Sequence, residues 1–337
     1  MHETNKPALK NPTQQLLSRI NTMTIKSKKT RFRAYQISSA GSSFSYFNGS
    51  EFTLIEARLN QTNTPNIIQE MRYCGVTQIH NLHITSWDRD HCHPDELQEI
   101  LEKFSPKKIE YPGYDPHTES GRESLKLISN YKRRSFTPDK IIKVCPKYIS
   151  SLEPAEKYGY RDILHHPKML DDRSANNNST IKHFRSGSFN TLSLGDVECT
   201  NIASGLRRQR SITNEVDVMI LAHHGASNGF TTSAFIKHVK PTIAIASSNY
   251  CNQYEHPKQD IRDLLHKNDV KLFTTKTGDV VIFSTGSHTG HYRVINLKAG
   301  STEVSSQYDY SAKKSEILKN NKDTIRAIIH RPNKGPR

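Results

Sequence analysis

Three apolar segments of the chain are each followed closely by acidic or histidine residues, and this repetition limits the folds that the chain can adopt. The segments, which have the composition of buried strands, are Gln78–Ile84, Thr191–Leu194 and Val216–Ala222. The polar residues that follow them are Asp88-Arg89-Asp90-His91, Gly195-Asp196 and His223-His224. Loops at strand ends hold functional groups on a rigid scaffold. We therefore expect an α/β protein whose strand ends carry a functional site.

The remaining pattern predicts two β-rich halves, each followed by helices. The other predicted strands are Phe32–Ile37, Ser43–Phe47, Phe52–Ala57, Ile141–Cys145, Ile181–Phe184, Pro241–Ser247, Lys271–Thr274 and Asp279–Ser284. The first three are expected to form a small antiparallel sheet. The predicted helices are Thr13–Ile20, Asn66–Tyr73, Asp95–Phe104, Ser124–Tyr131 and Lys258–Lys267. Two such halves favour a layered αβ sandwich with helices on the outside.

The charge is strongly positive and is concentrated towards both ends. The formal net charge is +15, from 48 Lys and Arg against 33 Asp and Glu. Residues 1–30 are interpreted as a basic N-terminal extension, residues 31–297 as one domain, and residues 298–337 as a basic C-terminal tail. A field of this sign attracts polyanions, above all nucleic acid. A solubilising basic surface is the alternative.

The chain carries no signal for a membrane or for export. No segment approaches the roughly 20 consecutive apolar residues of a membrane helix, and the first 30 residues lack the apolar core of a secretory signal. The five cysteines are scattered and form no CxxC pair, so neither a disulfide framework nor a thiolate zinc knuckle is expected. These features predict a cytoplasmic protein.

The polar strand ends carry the ligand types of a divalent metal site. Carboxylate oxygens together with imidazole nitrogens suit Mn²⁺, Zn²⁺ or Mg²⁺. The candidate ligands are Asp88, Asp90, His91, Asp196, His223 and His224. The sequence leaves open which histidine of the adjacent pair is the ligand, and a solvated Asp loop at a helix start is the alternative for the first group. A later loop offers Ser247, Asn249, Tyr250 and His256 for contacts with phosphate.

Taken in order, these motifs resemble the metallo-β-lactamase-fold domain at the C-terminal end of ComEC competence proteins and in related free-standing hydrolases. Residues 84–91 are similar to that family's T-H-x-D-x-D-H loop. The other matching elements are Asn177-Asn178-Ser179 (N-x-S), Leu194–Glu198 (T-G-D-x-E), Ala222–Ala226 (P-H-H-G-S), Asn249-Tyr250 (N-x-Y) and His256-Pro257 (H-P). The agreement in order and in strand-end placement extends over about residues 31–296.

The resemblance implies an αββα sandwich and a hydrolase that uses one or two divalent metal ions. It implies that Asp90, His91, Asp196 and one of His223 and His224 hold an ion, with Asp88 on a second. The residues expected to take part in catalysis are Asp90, Asn178, Ser247 and His256. The favoured activity is a nuclease or other phosphodiesterase acting on DNA or RNA, with DNA preferred and a protein partner left open.

Three departures from the family pattern keep other functions open. Ser86 stands where the family has its first histidine, so one metal position is weakened, empty or completed by a residue such as His83 or His93. Glu56 replaces an aspartate, and the early glycine-rich signature is reduced to residues 39–43. The alternatives are a hydrolase of a cyclic nucleotide, lactone or thioester, and a catalytically degenerate scaffold that binds nucleic acid or protein.

Overall fold

The computed structural model describes residues 29–152, 162–165, 174–209, 212–213, 215–285 and 290–320. In these residues two β-sheets lie face to face, and helices pack on the outer face of each. The predicted αββα sandwich is confirmed. The helix predicted at Thr13–Ile20 lies outside the described residues.

The larger sheet has nine strands in the order β15-β14-β13-β1-β2-β3-β4-β5-β6. Their bounds are β1 Arg31–Ala34, β2 Phe44–Phe47, β3 Phe52–Ile55, β4 Asn81–His83, β5 Lys108–Pro112, β6 Ile141–Val144, β13 Val280–Thr285, β14 His291–Leu297 and β15 Val304–Ser311. Neighbouring strands are antiparallel from β15 to β3 and parallel from β3 to β6. The antiparallel pairing predicted for the first three strands is confirmed, but they belong to this nine-stranded sheet and do not form a small sheet of their own. Strand β15 lies in the segment predicted as a basic tail.

The smaller sheet has six strands in the order β12-β11-β10-β9-β8-β7. Their bounds are β7 Ile163–His165, β8 Ile181–Phe184, β9 Thr191–Ser193, β10 Val218–Ile220, β11 Ile243–Ala246 and β12 Lys271–Thr274. Strands β9 to β12 run parallel, so their carboxyl ends meet at one edge of the sheet. The predicted Asp and His motifs follow these ends.

The helices divide between the two outer faces. Helices α1 Thr64–Cys74, α2 Pro94–Phe104 and α3 Glu119–Arg134 pack on the larger sheet, and α5 Thr200–Leu206, α6 Ser233–Val239 and α7 Gln259–Lys267 pack on the smaller one. The remaining helices are α4 Pro146–Ser151 and α8 Lys313–Asn320. Helix α1 ends one residue beyond the predicted end at Tyr73 and is capped by Gly75, whose φ of 70° a residue with a side chain rarely adopts. None of the described helices combines the length and apolarity needed to cross a membrane.

The layer between the two sheets is apolar on one side of the molecule and partly polar on the other. Across β1, β2 and β8 it is filled by buried aromatic side chains such as Phe32, Phe44 and Phe184, and burial of each stabilises the fold by about 1.5–3 kcal/mol. Near β4 and β5 the same layer contains buried charged and polar groups, among them Glu110 and Lys182. Two polar regions interrupt the core there, one at each end of the strands.

Candidate metal centre

Four predicted metal ligands converge where strands of both sheets end. Asp90 follows β4, Asp196 follows β9, and His224 follows β10. With His91 they each offer one ligand atom, and these atoms lie within 4.8 Å of one another. We call this group the Asp/His cluster. It contains four of the six candidate ligands and omits Asp88 and His223.

The His91 imidazole is fixed through one nitrogen and presents the other to the cluster. Nδ1 lies 3.2 Å from Glu56 Oε1 and 3.3 Å from Thr85 Oγ1. Glu56 is held in turn, because its carboxylate accepts hydrogen bonds from Thr85 N and Oγ1 at 3.0 and 2.6 Å. His91 Nε2 lies 2.8 Å from Asp196 Oδ2 but makes no hydrogen bond within the described chain. This is the arrangement in which a carboxylate orients a metal-binding histidine.

His224 is anchored in the same way from the other sheet. Its Nδ1 lies 3.0 Å from the carbonyl oxygen of Ser247, which follows β11, and a carbonyl can only accept a hydrogen bond. The ring therefore presents Nε2 to the cluster, where it lies 3.2 Å from Asp90 Oδ2 and 4.0 Å from Asp196 Oδ1. Both imidazoles thus offer Nε2 to the same small volume.

The backbone around the cluster is strained at several positions. Glu56, His223 and His224 have φ values of 69°, 46° and 55°, and a left-handed conformation costs a residue with a side chain about 1–2 kcal/mol. Gly195 has φ 57°, and a Cβ there would lie 2.8 Å from Ser179 Cβ. Such strain persists only where the surrounding structure enforces it, and it concentrates at functional sites.

The electrostatics of the cluster favour a bound cation. Burial lowers the pKa of His91, but the carboxylates of Asp196, Glu56 and Asp90 outweigh burial and raise it well above its ordinary value. Burial raises the pKa of Asp196, yet the neighbouring His91 and His224 hold it below its usual range. With both imidazoles neutral, three carboxylates remain uncompensated. Two carboxylate and two imidazole donors around one point fit a divalent metal ion.

Asp88 and His223 are engaged outside the cluster. Asp88 Oδ2 accepts a hydrogen bond from Ser86 Oγ at 3.0 Å, and Ser86 Oγ lies 3.0 Å from the Tyr114 hydroxyl. Ser86 is fully buried at this position. His223 Nδ1 lies 2.7 Å from Glu198 Oε1. The structure thus separates the adjacent histidines, which sequence alone leaves equivalent.

Neither histidine considered as a replacement for the one missing at Ser86 enters the cluster. His83 Nδ1 lies 2.9 Å from Glu110 Oε2, on the side of β4 that faces the interior. His93 Nδ1 lies 3.9 Å from Asp95 Oδ2 at the start of α2. The donors within reach of one ion are therefore the four residues of the cluster, as far as the described residues show.

The other predicted catalytic residues surround the cluster at different distances. Ser247 Oγ donates to the Gly41 carbonyl at 3.0 Å, and the Ser247 carbonyl holds His224. His256 stacks on His224 with ring centroids 6.3 Å apart, and burial lowers the pKa of His256 to about 4. Asn178 is buried in the short 3₁₀ turn that precedes Ser179, whose Oγ accepts from Asp196 N at 3.1 Å.

Sequence reasoning missed the residues that support the cluster. It noted Glu56 only as a departure from a family pattern, although Glu56 orients His91. It noted residues 39–43 only as a reduced signature, whereas Ser42 N donates to the Asp90 carbonyl at 3.0 Å. A Cβ on Gly41 would lie 2.4 Å from that same oxygen. Gly41 was the sequence signal for this contact, because two backbone segments can approach so closely only where the residue has no Cβ.

Comparison with known proteins finds competence proteins at low identity. ComE operon protein 3 of Bacillus subtilis is 24% identical over 230 residues, which cover 65% of this chain and 26% of that protein. Competence protein ComA of Neisseria gonorrhoeae is 35% identical over 69 residues, which cover 20% of this chain and 10% of that protein. The chain thus matches about a quarter or less of the length of these relatives. No family profile matches it.

Similar solved structures include metallo-β-lactamase-fold proteins. YhfI of Bacillus subtilis is 12% identical with a TM-score of 0.42, covering 76% of this chain and 100% of that one. Igni18, a metallo hydrolase of Ignicoccus hospitalis, is 12% identical with a TM-score of 0.46 and the same coverage. A diphosphatase of the PhnP family is 12% identical with a TM-score of 0.41, covering 76% and 98%. The match to the two competence proteins confirms the resemblance predicted from the motifs.

Proposed function

We propose that this protein is a metal-dependent phosphodiesterase that cleaves nucleic acid, with DNA as the preferred substrate. The observation that carries the proposal is the Asp/His cluster, in which two imidazoles are anchored through Nδ1 and two carboxylates face their Nε2 atoms. The net charge of +15 supports a polyanionic substrate. The similarity to competence proteins supports DNA.

Asp90, His91, Asp196 and His224 are the residues that would hold the ion. A bound Mn²⁺, Zn²⁺ or Mg²⁺ supplies a hydroxide nucleophile near neutral pH and offsets the negative charge that develops on a phosphoryl group. We favour a single ion, because Asp88 is turned towards Ser86 and lies outside the cluster.

The protein's own groups orient this site and receive the phosphodiester. Glu56 and the Ser247 carbonyl fix the two imidazoles, so their Nε2 atoms need no reorganisation during the reaction. His256 is neutral at pH 7, because its pKa is about 4, and a ring N–H can be donated to a phosphoryl oxygen. The exposed Arg89 lies beside Asp90 and offers a positive charge to the same oxygens.

A nuclease assay combined with metal analysis tests the proposal. Metal-free protein should bind close to one divalent ion per chain and then cleave single- or double-stranded DNA. Asp90→Ala and Asp196→Ala should lose both properties, whereas Asp263→Ala, an exposed aspartate on α7, should keep them. RNA is assayed in parallel.

Different failures of this assay point to different alternatives. Absence of cleavage with one ion still bound would contradict the nuclease and leave a small-molecule hydrolase. Absence of both cleavage and metal binding would contradict the enzymatic interpretation and favour the scaffold that Ser86 suggests. Equal cleavage by wild type and both cluster variants would place the activity elsewhere.

A further inference from the structure

A cavity of about 540 Å³ opens between the two sheets at the end opposite the Asp/His cluster. Its wall on the larger sheet comes from the amino ends of β4 and β5, at Asn81 and Lys108, and its wall on the smaller sheet comes from β7 and β8. The cluster follows the carboxyl end of β4, so the cavity is a separate site. We call it the lysine cavity.

Buried charges form the floor of the lysine cavity. Glu110 is 1% exposed, and its carboxylate contacts the ammonium groups of Lys108 at 2.5 Å and Lys182 at 2.7 Å. Burial raises the pKa of Glu110, but the two lysines outweigh burial and hold it well below its ordinary value. Two positive charges therefore meet one negative charge at the base of the cavity.

Further lysines line the rim. Lys107 and Lys140 are exposed and form no ion pair with any described residue. Among the described residues the lining contains four lysines and three carboxylates, an excess of one positive charge. One of those carboxylates, Asp162, accepts hydrogen bonds from Ser186 N and Oγ through its Oδ1 atom. The rim lysines are placed to meet an anion.

A second, independent observation also indicates a ligand. Asn81 lines the cavity and is 8% exposed; its Nδ2 donates to Glu110 Oε2 at 3.3 Å. Its Oδ1 has no hydrogen-bond partner in the described part of the chain. A buried acceptor without a partner is unfavourable, so a ligand that donates an N–H or O–H group is expected. Tyr148 adds an aromatic ring to the wall.

We propose that the lysine cavity binds a nucleoside monophosphate. Its phosphate would lie between Lys107 and Lys140, its base against Tyr148, and a sugar hydroxyl or base N–H would donate to Asn81 Oδ1. The volume falls within the roughly 300–1,000 Å³ of small-molecule sites. The proposal stands apart from the proposed nuclease, because the lysine cavity shares no residue with the Asp/His cluster.

Calorimetric titration of the full chain with nucleoside monophosphates tests the proposal. We expect saturable binding that inorganic phosphate alone does not reproduce. Lys107→Ala/Lys140→Ala should weaken it by about tenfold or more, since two charge-assisted contacts are lost. Asn81→Ala should weaken it separately. The matched control, Lys126→Ala/Lys237→Ala, removes two exposed helix lysines and should leave binding unchanged.

Several results would overturn this proposal. They are the absence of binding up to about 1 mM nucleotide, equal weakening by the control pair, and phosphate binding as tight as that of the nucleotide. Loss of binding in Asp90→Ala would assign the nucleotide to the Asp/His cluster instead. Retained binding in Asp90→Ala, with loss in the Lys107/Lys140 variant, supports the lysine cavity even if the protein cleaves no nucleic acid.

Discussion

The Asp/His cluster and the lysine cavity are two polar gaps in the same layer between the sheets, and they have opposite charge. The cluster lies at the carboxyl end of β4 and gathers the carboxylates of Asp90 and Asp196, with Glu56 behind them. The cavity lies at the amino end and gathers lysines around Glu110. One pair of sheets thus presents a cation site at one end and an anion site at the other.

The two regions differ in where their charge compensation comes from. Glu110 is paired with two lysines of the same chain, so its compensation forms when the protein folds. In the cluster the carboxylates raise the pKa of His91, so a proton on that imidazole compensates them in the metal-free protein, and a bound cation would take over this role. We therefore expect the ion pairs of the lysine cavity to stabilise the fold without a ligand, and the cluster to stabilise it further when metal is bound.

The largest expected effect is stabilisation by metal at the cluster. An ion present at about a thousand times its Kd should raise the free energy of unfolding by about 4 kcal/mol. Asp196→Asn should abolish this gain, because it removes a negatively charged ligand. Urea denaturation with added metal or with a chelator measures it. Glu110→Gln is the control and should keep the metal response; an equal gain in Asp196→Asn would contradict the assignment.

The second prediction concerns the ion pairs that Glu110 forms in the lysine cavity. Glu110→Gln should lower the free energy of unfolding by about 3 kcal/mol at pH 7, because the buried Lys182 and the partly exposed Lys108 then lose their counter-charge. The exposed Glu51→Gln is the control and should change stability by less than about 0.5 kcal/mol. A small effect at Glu110 would show that the lysines find water or other partners.

Glu110 also makes the free energy of unfolding depend on pH in the acid range. The pKa of Glu110 is depressed below its ordinary value of 4.5, so the unfolded chain binds its proton more readily than the folded chain. Its stabilising contribution is therefore complete above about pH 4.5 and is lost as the pH falls towards the folded pKa. Glu110→Gln should lose less stability than wild type between pH 5 and the acid limit of unfolding measurements.

A smaller effect is expected at the residue that orients His91. Glu56→Gln should weaken metal affinity by about 10–100-fold, as loss of such supporting carboxylates does. Competition with a metal-binding dye measures it, and circular dichroism checks that the variant is folded. Glu99→Gln, on the exposed face of α2, should leave the affinity unchanged. Unchanged affinity in Glu56→Gln would mean that packing alone positions the imidazole.

The smallest effect concerns the glycine before Asp196. Gly195→Ala should lower the free energy of unfolding by about 1–2 kcal/mol, because of its left-handed backbone. Gly205→Ala is the matched control, since a Cβ on that glycine of α5 meets nothing within 4 Å and alanine favours a helix. Thermal unfolding of the two variants gives the comparison, and similar destabilisation of both would contradict it.

Much of the fold could be predicted, because most strands carry an apolar signal. The predictions for Ile181–Phe184 and Lys271–Thr274 agree with β8 and β12 at both ends. Strand β5, Lys108–Pro112, was missed, because the Lys108 and Glu110 side chains in it form the charged floor of the cavity. These charged side chains interrupt the apolar pattern by which a strand is recognised in a sequence, so β5 could not be predicted.

The sequence predicted which residues form the candidate site but not how they are arranged. Motif order placed Asp90, His91 and Asp196 together. It could not choose between His223 and His224, because the choice depends on two consecutive left-handed residues and on the carbonyl of Ser247. Local sequence does not encode these long-range contacts.

The anchoring of the two imidazoles has a consequence for the speed of metal uptake. Glu56 and the Ser247 carbonyl fix both rings before an ion arrives, and the strained turn at His223 and His224 is already formed. Uptake then requires no loop closure and is limited by how fast the ion sheds its own water. Mg²⁺ dehydrates reluctantly, so among the three candidate metals it should be captured most slowly, whatever its final affinity.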